Sequence, residues 1–259
     1  MSGLINPTVA RITLRATLSR RRALLFAGPA AVLILLTVAL RATGAPLRPW
    51  PSHVLGTFGF SVLLPLTALV IGTSVLGAEI DDGSIVHLLA TPVRRSSVIA
   101  TKFAVATGLT IVFAAVPELV AALIAGGGST PPPAGHPGDL IAVSTGRLAL
   151  GLFTGALACS VIYNAIFVMV SVATTRAIAV GLLYVLVWEA LLANFVGGAR
   201  LLSVSHYGLG IAGGFVTDPA LQAGLDVLTS VMMGVIVTAA ALLLAASLLS
   251  SFTLKGEPA

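Results

Sequence analysis

The chain has 259 residues, of which 57% are hydrophobic and only 9% charged, and its mean hydropathy is +1.07. This balance excludes an ordinary water-soluble domain and points to hydrocarbon as the main solvent. The net charge of +5 and the pI of about 10.1 do not indicate nucleic-acid binding: no basic patch is interleaved with exposed aromatics, and membrane topology accounts for the positive charge. Cys159 is the single cysteine, so neither an intrachain disulfide nor a cysteine-rich metal site is expected.

Residues 1–22 carry Arg11, Arg15, Arg20, Arg21 and Arg22 and no acid, with Ile5, Val9, Ile12 and Leu14 at roughly helical spacing. The pattern predicts an amphipathic helix on the anionic cytoplasmic leaflet, against a plain alternative of a disordered basic leader. Residues 23–40 are uncharged and long enough to cross about 30 Å of hydrocarbon, longer than the apolar core of a cleaved signal peptide. They form span one, and 41–53, with its prolines and Trp50, form a short outer loop. Span two is 54–77, where Pro65 should kink the helix, and span three is 103–125. Residues 126–146 contain GGGST, PPP and GHPGD and read as an exposed outer loop. Span four is 148–173, with Gly151, Gly155 and Ala158 as a close-packing face; Thr174, Thr175 and Arg176 make an inner turn, and span five is 177–196. Residues 197–226 are too broken by glycine and Pro219 to span and suggest re-entrant or interfacial helices; span six is 227–251. The expected organisation is thus an all-α integral membrane protein, with a leader (1–22) and one six-span domain (23–259). Ten Lys and Arg fall on the side of the termini and four on the other, which places both termini in the cytoplasm.

One polar segment stands apart. Residues 79–102 read EIDDGSIVHLLATPVRRSSVIATK, with three carboxylates and a short helix signal between two apolar runs. Gly83 permits a tight bend, Ser84 can cap, and Ile85, Leu88 and Leu89 share one helical edge. Pro92 ends that helix and stiffens the turn before Ser96 or Ser97 caps the next. Glu79, Gly83-Ser84, Leu88-Leu89, Pro92-Val93, Arg95 and Lys102 together resemble the cytoplasmic loop between spans two and three of type-2 ABC transporter permeases, with Asp81-Asp82 and Arg94 departing from the usual residues. The resemblance implies a coupling helix that docks on an ATP-binding subunit through Glu79, Asp82, Gly83, Ser84, Ile85, Leu88, Leu89, Pro92 and Arg95. It further implies two copies of that subunit, a second permease copy or a related chain, contact with membrane lipid, export across the cell membrane, and an elbow helix before span one.

The only lysines are Lys102 and Lys255, and neither ends a phosphate-cradling Gly-Lys-Ser/Thr loop. No catalytic residue, bound cofactor or metal is therefore expected on this chain; ATP and Mg would sit on the partner. Glu118 and Glu189 lie within spans, where a carboxylate must be paired, hydrated or protonated. They suggest either a polar translocation path or structural pairing with Arg147 or Arg200. Tyr163 and Asn164 in span four suggest either path-lining groups or ties between helices. His87 falls off the apolar edge of the predicted coupling helix, which suits a solvated or ATPase-facing residue. A rival reading is a proton-coupled secondary transporter using Glu118 and Glu189, though no internal repeat of that class is visible. Another is a membrane scaffold without transport.

Overall fold

The computed structural model describes residues 6–43, 50–81, 95–130, 141–195, 197–216, 221 and 224–251. Helix α1 (Pro7–Thr17) starts where the Asn6 side chain accepts from the amides of Thr8 and Val9, with proline at the first turn where a missing donor costs nothing. Its buried face is Val9, Thr13 and Thr17, spaced by four, while Arg11 and Arg15 stay exposed. The Asn6 amide also donates to Thr101 Oγ1 at 3.0 Å, which fastens the start of α1 to a later helix.

Helix α2 (Arg20–Ala42) ends with Arg41 reaching across to donate to the Ala125 carbonyl at 2.6 Å. Helix α3 is continuous through Trp50–His53, a π-helical stretch Val54–Leu63, and Leu64–Asp81. Helix α4 runs through Arg95–Thr110, a π-helical stretch Ile111–Ala115, and Val116–Ala125. Both wide stretches end just before a proline, Pro65 and Pro117, whose rings cannot donate and crowd the preceding turn. Gly126, at φ 78°, closes α4 in a left-handed conformation, and its last carbonyl is the one that Arg41 caps. Helix α3 begins before the expected span start at 54, and α4 begins at Arg95, close to the Ser96 or Ser97 expected to cap it, so Lys102 lies in its second turn.

The segment expected to be a wholly irregular outer loop carries two short strands, β1 (Gly128–Thr130) and β2 (Ile141–Val143). They pair antiparallel with Ser129 opposite Ala142. Among the described residues this small ladder is the departure from an otherwise all-α fold. Helix α5 (Thr145–Ala173), capped by Ser144, carries buried residues from Leu148 to Val172 and forms the axis of the bundle. Helix α6 comprises Ala177–Leu183, a π-helical stretch Tyr184–Leu192, and Ala193–Phe195. A 3-10 turn, Gly197–Leu202, leads to α7 (Val204–Gly213), and α8 (Val227–Ser251) closes the described chain.

Among the described residues, five helices are long and apolar enough to cross a membrane: Arg22–Ala42, Trp50–Leu76, Ser96–Ala125, Thr145–Ala173 and Val227–Leu249. The expected fifth span is the shorter apolar helix Ala177–Leu192. Helix α5 threads two cores, one around Leu55, Phe60, Leu69, Tyr163, Phe167 and Tyr207, the other around Phe26, Ile71, Leu76, Ile99, Val168 and Leu249. Its close-packing face is real at Gly151 and Gly155. A Cβ at Gly155 would strike the Gly208 carbonyl, and one at Gly151 would come within 2.9 Å of the Ala212 carbonyl. Cys159, not the half-buried Ala158, continues this face, and its thiol donates to the Val204 carbonyl at 3.3 Å.

Candidate functional site: two intramembrane carboxylates and the base of the polar segment

Glu189 and Glu118 are both buried, at 0% and 2% exposure, and their surroundings are opposites. Glu189 projects from the π-helical part of α6 toward the first turn of α7. Its Oε1 accepts from the Tyr184 hydroxyl at 2.7 Å and the Val204 amide at 2.9 Å. Its Oε2 accepts from the Ser203 and Ser205 hydroxyls at 2.7 and 2.8 Å and from the Ser205 amide at 3.3 Å. A helix N-terminus presents unpaired amides and partial positive charge, so an anion placed there is doubly favoured. Ser203 is the N-cap and accepts from the His206 amide, and His206 Nδ1 lies 2.9 Å from the same oxygen. Because the single Ser203 proton goes to Glu189, the network requires the Nδ1–H tautomer of His206. Burial pushes the His206 imidazole below its ordinary value; the Glu189 charge opposes this and Arg200 adds to it.

Glu118, one residue after Pro117 on α4, faces α3 at Gly59. A Cβ there would come within 2.6 Å of its carboxylate, so glycine is what admits the group. Its Oε1 is buried without a hydrogen-bond partner. A small crevice lined by Pro29, Leu33, Thr67 and Phe113 adjoins it.

Tyr163 and Asn164 on α5 are fully buried. Asn164 Nδ2 donates to Thr110 Oγ1 of α4 at 2.8 Å and to the Ser160 carbonyl at 2.7 Å, tying the two helices. Tyr163 stacks on Phe167 with centroids 5.9 Å apart, and Phe167 meets Tyr184 edge-on. Tyr163 lies within electrostatic reach of Glu189. These side chains thus join helices around one polar cluster.

Of the polar segment, Glu79 and Asp81 fall in the last turn of α3 and Arg95 opens α4. Asp82, Gly83, Ser84, Ile85, His87, Leu88, Leu89, Pro92 and Arg94 lie outside the described residues. Lys102, the last residue of the segment, is fully buried and donates to the Val75 carbonyl at 2.6 Å, joining α4 to α3. The sequence carries no sign of this tie, since Val75 lies 27 residues away on another span. Likewise Ser203 is legible as an N-cap before an apolar run, but its Glu189 partner 14 residues upstream is not.

Residues 18–188 match the family model described as ABC-2 family transporter protein. The chain belongs to the ABC-2 transporter family. The match covers more than half of the chain and includes the whole 79–102 segment, whose residues carry the resemblance to type-2 ABC permeases. It ends one residue before Glu189, so the carboxylate, its Ser203–His206 donors and α7 lie outside the matched region of this ABC-2 protein. No curated protein matches the chain. As a member of this family the protein is a multi-pass transport membrane component whose class works with an ABC ATP-binding partner.

Proposed function

We propose that this ABC-2 chain is the permease subunit of an ATP-driven exporter in the cell membrane. It has six spans, α6 being the fifth, and both termini cytoplasmic. Residues 84–90 form the coupling helix and dock on an ATP-binding subunit that carries ATP and Mg. Two permease copies, or this chain with a related one, pair over two such subunits.

The observation that carries this reading is the position of the 79–102 pattern between α3 and α4, with its last residue, Lys102, bonded to the Val75 carbonyl. A push on the segment then moves α3 and α4 together rather than fraying one of them. Glu118 and Glu189 serve different ends in this reading: Glu189 anchors α7, whereas the unpartnered Oε1 of Glu118 is the feature that favours the rival proton-coupled carrier.

Mild-detergent purification of the tagged chain from its native membrane, with mass spectrometry of what accompanies it, tests the proposal. A near-stoichiometric P-loop protein is expected, and it should be lost on Leu88→Asp with Leu89→Asp while membrane insertion persists. Transport that needs no such partner, and that Glu118→Gln uncouples from protons, would replace the exporter reading with the carrier.

A further inference from the structure

One cavity of the bundle is separate from both carboxylates. It is a groove of about 700 Å³ between α2, α3, α5 and α6, at the end of the bundle that carries α1. Leu25, Phe26, Val70, Ile178 and Leu182 line its apolar length, and Arg22 and Arg176 stand at one end beside the Thr174–Thr175 hydroxyls. Leu25 and Ile178 are 67% and 61% exposed, so the groove opens sideways toward whatever surrounds the bundle. No Asp or Glu is among its lining residues. Two cations at one end of an apolar, laterally open slot match a molecule with an anionic head and hydrocarbon tails. At the helix ends, where the aqueous boundary falls, that molecule is within reach of every leaflet lipid.

We propose that this groove holds an acidic phospholipid of the surrounding leaflet, its phosphate between Arg22 and Arg176 and its acyl chains along Leu25, Phe26 and Leu182. The arginine guanidinium is suited to phosphate through paired, charge-assisted hydrogen bonds. An acidic lipid is favoured by charge: the lining supplies two arginines and no carboxylate beside its apolar walls. The bound headgroup would brace the first turn of α2 against the turn between α5 and α6, both of which line the cavity.

The test uses the full purified chain, without any ATP-binding partner, in vesicles of equal parts phosphatidylglycerol and phosphatidylcholine. Each lipid in turn carries a photoactivatable diazirine on its acyl chain. Labelling around Phe26 and Leu182 should favour phosphatidylglycerol by about tenfold. Arg22→Gln with Arg176→Gln should abolish the preference, Arg22→Lys with Arg176→Lys should keep most of it, and Arg11→Gln with Arg15→Gln, on the exposed face of α1, should leave it unchanged. Equal labelling by the two lipids overturns the proposal. So does an equal loss from the Arg11 and Arg15 variant, which would reduce the effect to general surface charge. High-yield disulfide cross-linking between copies carrying Leu25→Cys and Ile178→Cys would show a second chain in the groove and would also overturn it. The absence of a copurifying ATPase has no bearing on this result, so failure of the exporter reading and failure of the lipid site are distinguishable.

Discussion

Glu189 and Glu118 carry the same functional group and should answer the same substitution differently. Glu189→Gln keeps the shape but offers one acceptor oxygen and an NH2 group where two backbone amides and three hydroxyls now donate to a carboxylate. It leaves buried amides and hydroxyls of the α7 first turn unpaired, at a cost of about 2–4 kcal/mol. Glu118→Gln gives up no donor to Oε1 and should change stability by less than about 1 kcal/mol. Thermal unfolding of both variants in one detergent checks the contrast, and equal destabilisation would refute it. His206 adds a pH dependence. Its imidazole binds a proton less readily in the folded chain than in the unfolded one, so its contribution is complete above the ordinary value of 6.5 and is lost as pH falls through the lower folded value. Protection factors of the α7 amides, taken relative to the intrinsic exchange rate at each pH, should therefore fall on acidification, and His206→Gln should flatten that response.

Between elements, backbone contact decides what side chains are allowed. Without a hydrophobic drive between helices in lipid, α5 and α7 are held by close approach at small residues. The atom that Gly155 would strike is the Gly208 carbonyl, which cannot rotate away as a flexible side chain would. Gly155→Val should cost about 1–3 kcal/mol and loosen α7, while Ala158→Val, half-buried on the same helix, should stay within about 0.5 kcal/mol. Limited proteolysis between α6 and α8 reports the difference. The three π-helical stretches belong to this scale too. They carry Gly59, precede Glu118 and carry Glu189, so both intramembrane carboxylates and the glycine that admits Glu118 lie in or next to a widened turn. Such a turn re-aims the side chains that follow it, which a strict 3.6-residue count on the sequence does not anticipate.

At the scale of the whole molecule, α3, α4 and α5 share one interior, and the polar segment leaves and re-enters it through α3 and α4. Motion imposed there is expected to reach the opposite end through the Lys102–Val75 and Asn164–Thr110 bonds. Pro92→Gly should abolish transport with insertion and folding intact, because a flexible turn absorbs the displacement that a rigid one transmits. Assay of cargo movement in vesicles containing the full complex decides this, and normal transport by Pro92→Gly would refute the lever.

What the sequence determined by itself is what depends on local composition. Apolar runs of span length, the basic leader, the broken stretch at 197–226 and the 79–102 pattern are each written in contiguous residues, and so are the membrane class and the family. The tertiary structure alone decided which polar groups meet. Glu189 finds the first turn of α7, Arg41 the last carbonyl of α4, and Lys102 the Val75 carbonyl, each across a gap in sequence that no periodicity encodes. In hydrocarbon a buried polar group must find its partner wherever the packing brings one. The partner is therefore set by helix contact and π-helical rotation, not by neighbouring residues. Glu118 is the counter-case: packing against Gly59 brought its Oε1 no partner, a fact visible only once the helices are assembled.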